Sequence, residues 1–158
     1  RRLCPARPEV LADRGLLPQV FFNLILNAAE AMPEGGVLRI KTLVLRGQGH
    51  QGRLVQIAFT DQGCGVAEED LPKIFDLFFT TKPPSQGTGL GLAVTRRIIE
   101  SYNGTIRVES RLNVGTKVIV SLPEISAGGG PFPPTPRHQA PGMRGDRKDV
   151  ERNDPDHR

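Results

Sequence analysis

Apolar residues recur at helical spacing near the beginning of the chain and predict a long amphipathic helix from Leu16 to Met32. Pro18 lies in the first turn of this segment and Pro33 lies beyond its end, where proline is compatible with a helix boundary. The apolar run from Pro8 to Ala12 predicts a preceding strand, and Asp13 is a candidate cap for the helix. The apolar face of the helix consists of Leu17, Val20, Phe21, Leu24, Ile25, Ala28 and Ala31.

Alternating apolar residues further along the chain predict two hairpins, one formed by segments 37–45 and 53–60 and the other by 105–110 and 116–122. Between them the pattern predicts a short helix over 68–75, and then a lid formed by large apolar residues and a polar, proline-containing loop. A second helix is predicted from about Thr88 to Tyr102, where Asn103-Gly104 ends it. This order predicts an α/β fold with one sheet and helices on a single face.

Composition limits the class of protein. With 158 residues, of which 37% are hydrophobic and 24% charged, the chain is expected to form one soluble domain with a tail. Its net charge of +4 fits a small anionic ligand and is too weak to indicate nucleic acid. No apolar run reaches the ~18 residues of a membrane span, and no signal peptide is visible. Cys4 and Cys64 are isolated, which is typical of reduced thiols in the cytoplasm.

The chain changes character after Pro123. Residues 124–158 hold six of the fourteen prolines, three consecutive glycines and interleaved charges, with few aliphatic residues. Such a segment buries too little apolar surface to offset its ordering entropy. We therefore predict a folded domain over residues 1–123 and a disordered tail over 124–158. Because the chain opens with Arg1 and not with methionine, we expect it to be part of a longer protein.

The segment QGTGLGL at 86–92 places Gly87, Gly89 and Gly91 at alternate positions before the second helix. Glycine lets the backbone approach an anion closely, and a helix that begins there directs its free N–H groups at the ligand. A flexible connector is an equally good interpretation of the glycines alone. A dinucleotide fingerprint is excluded because Leu92 stands where its third glycine should be, and a P-loop is excluded because Gly-Lys is absent from the sequence.

Two further groups of polar residues are candidates for binding chemistry. Asn23, Asn27 and Glu30 are spaced i, i+4, i+7 and form one line along the first helix. The amides need partners, which a neighbouring backbone would supply, as would a hard cation that bridges nucleotide phosphates. Asp61 ends a strand, and the glycines that follow it (Gly63 and Gly65) allow a tight turn beside whatever the carboxylate holds, although an Asx turn explains the same residues.

Four ordered segments together resemble the ATP-binding catalytic domain of sensor histidine kinases, within the superfamily that includes gyrase, Hsp90 and MutL ATPases. The resemblance covers about residues 8–122. QVFFNLILNA at 19–28 is similar to the N box, and DQGCG at 61–65 to the first glycine box. IFDLFF at 74–79 is similar to the F box, and GTGLGL at 87–92 to the second glycine box. FTTK at 79–82 and AMPEGG at 31–36 are similar to the nitrogen-regulation type of kinase.

The resemblance implies a Bergerat-type fold, which is a two-layer α/β sandwich with a mixed sheet and helices on one face. It also implies ATP and Mg²⁺ as ligands. Asp61 would accept a hydrogen bond from the adenine amine, and Asn27 would bind Mg²⁺ with Asn23 nearby. The three glycines would wrap the triphosphate, and Lys82 or Arg96 would meet its charge. The other residues expected at the nucleotide site are Glu30, Gly63, Gly65, Thr88 and Leu90.

The resemblance also favours one reaction. In hydrolytic members of the superfamily a glutamate four residues before the Mg²⁺-binding asparagine activates water, but here that residue is Asn23, which cannot act as a base. Transfer of the γ-phosphate to a histidine, and from there to an aspartate of a response regulator, is therefore favoured over hydrolysis. Two alternatives stay open: a serine kinase of the anti-sigma-factor type, and a nucleotide-sensing scaffold without transfer.

The acceptor histidine is expected on another domain. His50, predicted to be solvated on a hairpin tip, and His138 and His157 in the tail do not lie in an acceptor motif. The implied partners are therefore a dimerisation and acceptor domain outside this chain, a receiver domain, and a second copy in the full-length homodimer. We expect no nucleic acid or membrane contact by this segment and a cytoplasmic location, although the full-length protein could be membrane-anchored.

Overall fold

The computed structural model describes residues 8–46, 52–83 and 87–125. These residues form two helices and four strands in the order α1 (Leu16–Glu30), β1 (Arg39–Arg46), β2 (Arg53–Thr60), α2 (Gly91–Ser101), β3 (Thr105–Arg111) and β4 (Gly115–Pro123). The strands form one sheet in the order β1-β2-β4-β3, and every neighbouring pair is antiparallel. Both predicted hairpins are confirmed. The resemblance implied a mixed sheet, but the described strands form a purely antiparallel one, since each strand runs opposite to its neighbours.

The core lies between the two helices and one face of the sheet. Val20 of α1, Ile99 of α2 and Val120 of β4 are fully buried in it. The ring of Phe21 packs on that of Phe59 at a centroid distance of 5.7 Å, which joins α1 to β2. Full burial of an aliphatic or aromatic side chain contributes about 1.5–3 kcal/mol, so this shared core holds both helices on the sheet. The predicted α/β layering is confirmed.

The helix boundaries follow from local hydrogen bonds and backbone angles. The N-cap position of the first helix is Gly15 and not the predicted Asp13, but Asp13 Oδ1 accepts the N–H groups of Gly15 and Leu16 at 2.6 and 3.1 Å and so binds the start of the helix. The second helix begins at Gly91, three residues after its predicted start, because Gly89 has a φ of +65°. It ends at Ser101, one residue before its predicted end, and Asn103 follows with a φ of +55°, which is outside the helical region.

Two predicted elements are absent from the described residues. The segment predicted as a helix over 68–75 forms successive turns, in which Lys73 N–H donates to Asp70 O and Asp76 N–H to Lys73 O, each at 2.8 Å. Pro72 explains the difference, because it has no N–H to donate and therefore interrupts helical hydrogen bonding. The predicted strand from Pro8 to Ala12 is reduced to one bridge between Val10 and Glu124, beyond the end of β4.

Several predictions concern residues that lie outside the described ranges. They include the hairpin tip with His50, as well as Cys4, His138 and His157. The boundary at residue 123 stays a prediction, as does the disordered tail. Within the described ranges, neither helix combines the length and apolarity that a membrane crossing requires.

Candidate functional site

The polar line of α1 lies beside the apolar residues of the helix that pack into the core. Asn23 and Asn27 are half-buried, whereas Val20, Leu24 and Ala28 on the same helix are buried. Asn23 Nδ2 lies 3.5 Å from Thr95 Oγ1, so the contact joins α1 to α2. Thr95 is completely buried, which makes it a polar residue within an apolar interface. The sequence did not identify Thr95 as part of this site.

Lys82 meets the other end of the polar line. Its Nζ lies 3.5 Å from Asn27 Oδ1 and forms a salt bridge with Glu30. The backbone N–H of Lys82 donates to Thr80 Oγ1 at 3.1 Å, which fixes the local turn. The structure therefore brings together Asn27, Glu30 and Lys82, three residues that the sequence placed in the nucleotide site.

Asp61 is a buried carboxylate at the end of β2, with 8% of its surface exposed. Its Oδ1 accepts two backbone N–H groups, from Gly63 at 2.9 Å and from Thr116 at 3.1 Å. The bond from Gly63 is the Asx turn that the sequence left open. Because both of these bonds go to Oδ1, the turn fixes the carboxylate while Oδ2 is left to accept a hydrogen bond from a ligand.

The glycines of the first box allow close packing of the loop. A side chain on Gly63 would place its Cβ 2.6 Å from Ala31 Cβ at the end of α1, and Cys64 N–H donates to Ala31 O at 3.1 Å. Gly65 has a φ of +68°, and a Cβ there would overlap the carbonyl of Arg111. The structure therefore shows these two glycines as packing positions that hold the Asp61 loop against α1 and the β3–β4 turn.

Gly115, the first residue of β4, is a residue of the site that the sequence analysis did not identify. It has a φ of +131°, and a Cβ at this position would overlap the carbonyl of Asp61. The next residue, Thr116, donates one N–H to the Asp61 carboxylate, and its carbonyl accepts the N–H of Asp61 at 2.9 Å. The start of β4, the strand next to β2, therefore positions Asp61.

The second glycine box lies against the segment 78–82. A Cβ on Gly87 would be 2.5 Å from Thr80 Oγ1, and a Cβ on Gly89 would overlap the backbone of Phe78. Phe78 N–H donates to Gly89 O at 3.0 Å. Thr88 is exposed, Leu90 precedes α2, and Gly91 begins the helix with open space where a Cβ would stand.

Arg96, the second cation considered for the phosphates, makes other contacts. Its guanidinium lies 5.4 Å from the ring centroid of Phe75, and its Nε is 2.7 Å from Glu100 Oε1. Both side chains of the Arg96–Glu100 pair are about half-exposed, so the pair contributes little to stability. Of the two cations considered from sequence, the structure brings Lys82 to the polar line of α1.

The fit of a metal ion can be judged from the donor atoms. No group of three His, Cys, Asp or Glu side chains suited to a metal occurs within residues 8–46, 52–83 and 87–125. However, Asn27 and Glu30 direct oxygen atoms at the Lys82 ammonium, so this position already accommodates a positive charge. Oxygen donors are those that Mg²⁺ prefers, and Mg²⁺ typically takes few protein ligands beside phosphates and water. The residues therefore fit Mg²⁺ held mainly by a nucleotide.

The comparisons with known proteins agree with this geometry. The sequence profile of the histidine kinase-, DNA gyrase B- and HSP90-like ATPase family matches residues 12–126. The chain belongs to this family, which confirms the predicted ATP-binding class. It is 41% identical to the sensor histidine kinase ZraS of Escherichia coli K12 over 116 residues, which are 73% of this chain and 23% of ZraS. It is 40% identical to sporulation kinase E of Bacillus subtilis 168, covering 73% of this chain and 15% of the kinase.

A solved structure supports the same class. The catalytic domain of histidine kinase ThkA, in a nucleotide-free form, superposes with a TM-score of 0.59 at 37% identity. The alignment covers 73% of this chain and 71% of that domain. The predicted two-layer α/β fold with helices on one face is thereby confirmed, with an antiparallel sheet in place of the mixed one. The chain spans less than a quarter of the two curated relatives named above, so it corresponds to one part of such proteins.

Proposed function

We propose that this chain is the catalytic domain of a two-component sensor histidine kinase, which binds ATP with Mg²⁺ and transfers the γ-phosphate to a histidine on a separate domain. The observation that carries the proposal is the arrangement of Asp61. This carboxylate is buried, and the two backbone N–H groups that it accepts both bind Oδ1. Its Oδ2 can therefore accept a hydrogen bond from the exocyclic amine of adenine, a group that guanine lacks at that position.

The phosphates would lie between α1 and the second glycine box. Backbone N–H groups of Gly87, Thr88, Gly89, Leu90 and Gly91 would bind phosphate oxygens, aided by the positive end of the α2 dipole. Asn27 would supply the protein oxygen to Mg²⁺, with Asn23 and Glu30 nearby. Bound Mg²⁺ would neutralise phosphate charge. Lys82 would add a second positive charge to the phosphates.

Transfer to a protein acceptor is favoured over hydrolysis. Asn23 stands at the position of the water-activating glutamate in the hydrolytic relatives and contacts the buried Thr95 at 3.5 Å. An amide cannot act as a general base. In the proposed step a histidine nitrogen attacks the γ-phosphorus in line, a new N–P bond forms, and the bond to the β-phosphate oxygen breaks to release ADP.

The remaining features of the proposal concern the whole kinase. A dimerisation and acceptor domain would present the histidine, the full-length protein would be a homodimer, and a response-regulator receiver domain would take the phosphoryl group. The segments FTTK at 79–82 and AMPEGG at 31–36 support a kinase of the nitrogen-regulation type. We place this domain in the cytoplasm, where ATP and receiver domains are available.

Calorimetric titration of the 158-residue chain with ATP and with GTP, each in the presence of Mg²⁺, tests the nucleotide site directly. We expect measurable binding of ATP and much weaker binding of GTP, because Asp61 would face a carbonyl oxygen of guanine and not an amine. Equal affinities for the two nucleotides, or no binding of either, would contradict the proposal.

A further inference from the structure

The Lys82 side chain brings a cation to the position where the proposed function needs a metal. Its ammonium group is paired with Glu30 and lies 3.5 Å from Asn27 Oδ1. Asn27 is the residue proposed to bind Mg²⁺.

Lys82 and Mg²⁺ would compete for the same amide oxygen. Mg²⁺ binds oxygen ligands at about 2.1 Å and demands near-octahedral geometry. An ammonium group within hydrogen-bonding range of that oxygen intrudes on the coordination sphere, and the two positive charges repel each other at such distances. Asn27 Oδ1 therefore binds either the lysine ammonium or the metal ion, but not both.

Three local contacts hold Lys82 in its position. Glu30 provides the salt bridge, and Thr80 Oγ1 accepts the backbone N–H of Lys82 at 3.1 Å. Gly87 packs against the same turn, because a Cβ there would be 3.1 Å from Lys82 Cβ and 2.5 Å from Thr80 Oγ1. The second glycine box is thus packed directly on the backbone that carries the lysine.

We propose that Glu30 is a positioning residue that holds the Lys82 ammonium on Asn27 in the ligand-free protein, and that the binding of nucleotide with Mg²⁺ displaces the lysine from Asn27. This inference rests on the proposed function for the identity of the ligand. It assigns Lys82 a second role beside its contact with the phosphates, namely competition with Mg²⁺ for Asn27. When nucleotide binds without metal, the lysine stays at the cation position and partly replaces Mg²⁺, so Lys82 sets how strongly nucleotide affinity depends on the metal.

The first test compares the affinity for AMP-PNP, a non-hydrolysable ATP analogue, with Mg²⁺ and with EDTA. We expect Lys82→Met to weaken binding in EDTA by roughly tenfold or more, the scale of a lost hydrogen bond to a charged group, and to weaken it much less in Mg²⁺. The dissociation constant in EDTA divided by the dissociation constant in Mg²⁺ should therefore be larger for the variant than for the wild type. Lys41→Met, which removes an exposed lysine of β1, is the matched control and should keep the wild-type ratio. An equal loss in both conditions, or no loss in either, overturns the inference.

The second test needs no nucleotide. We expect Lys82→Met and Glu30→Gln each to shift the NMR signals of the Asn27 side-chain NH₂ group in the ligand-free chain, because both changes release the ammonium from the amide. Glu69→Gln, at an exposed site in the turn segment, should leave these signals in place. Unshifted Asn27 signals in Lys82→Met overturn the inference.

The two tests separate the inference from the proposed function. If the wild-type chain binds no nucleotide, the proposed function fails, and the Asn27 signals still decide whether Glu30 and Lys82 hold the amide. If the chain binds AMP-PNP but Lys82→Met leaves the metal dependence unchanged, the nucleotide site stands and the competition does not exist.

Discussion

Asp61 illustrates how one side chain serves both the fold and the proposed ligand. The Asp61→Asn variant keeps one oxygen for the N–H groups of Gly63 and Thr116, and replaces the second oxygen by an NH₂ donor. We expect ATP affinity to fall by about 1.5–3 kcal/mol, the scale of a hydrogen bond to a charged group. Calorimetric titration of the variant with ATP and Mg²⁺ measures this loss.

A second variant at the same position serves as the control for folding. Asp61→Ala removes the oxygen that accepts the two loop N–H groups, so it should lower the melting temperature as well as ATP affinity. Asp61→Asn should melt close to the wild type. If Asp61→Asn binds ATP as tightly as the wild type, Asp61 does not contact adenine.

The glycines of the site differ in whether alanine can replace them without loss of stability. Gly115 has a φ of +131° and lies against the carbonyl of Asp61, whereas Gly91 begins α2 and has open space around it. We expect Gly115→Ala to reduce the free energy of unfolding by about 1–3 kcal/mol, because it combines backbone strain with a steric clash. Gly91→Ala should leave that free energy unchanged or raise it slightly. Urea denaturation followed by circular dichroism measures both, and equal effects of the two substitutions would contradict this account.

Residue types alone could identify Asp61 and the polar line of α1, but not their partners. Asp61 stands out as a carboxylate at a strand end followed by glycines. Its partner Thr116 lies 55 positions further along the chain and meets it through the pairing of β2 with β4, in which Thr60 opposes Lys117. Strand register is set by the packing of the whole sheet. The role of Gly115 and Thr116 was therefore not readable from the sequence.

At the scale of elements, periodicity predicted those segments whose apolar face packs into the core. The helix α1 and the strands β2, β3 and β4 contribute such residues to the core and form as predicted. The strand β1 also forms, but nearly all of its residues are exposed and it is held by its pairing with β2. The segment 68–75 has apolar residues at suitable spacing too, but Pro72 removes a backbone donor and the segment forms turns. The start of α2 was placed too early because the positive φ of Gly89 depends on packing against Phe78, which sequence spacing does not reveal.

The contact between α2 and the turn segment gives a prediction at this scale. Arg96 lies over the ring of Phe75 and pairs with Glu100, so its loss should weaken the attachment of the turns to α2. We expect Arg96→Met to lower the free energy of unfolding by about 0.5–1 kcal/mol, the range of an exposed cation–π contact. AMP-PNP affinity should stay at the wild-type value. The matched control is Arg97→Met at the neighbouring exposed residue, which should change neither the free energy of unfolding nor the affinity. A loss of AMP-PNP affinity in Arg96→Met would contradict this prediction and would indicate that Arg96 contacts the phosphates.

At the scale of the whole molecule, the topology explains how residues that are far apart in the chain reach one site. The order β1-β2-β4-β3 sets the end of β2 beside the start of β4, so that Asp61 meets Thr116. The loop after Asp61 returns to the end of α1 through the bond from Cys64 to Ala31. Lys82 then reaches the same helix at Asn27 and Glu30. The proposed nucleotide site is therefore assembled around the C-terminal half of α1.

The proposed function places the acceptor histidine on a separate domain, and this separation is open to a direct test. We expect the chain incubated with γ-³²P-labelled ATP to carry no acid-labile label, because none of its three histidines lies in an acceptor motif. Addition of a sensor-kinase dimerisation domain should place acid-labile label on that domain, and a version of the domain without its histidine should stay unlabelled. Since Asn23 cannot activate water, phosphate release by the chain alone should remain slow. Rapid phosphate release without an acceptor would show that the site hydrolyses ATP, and the assignment of transfer would be wrong even though the nucleotide site is correct.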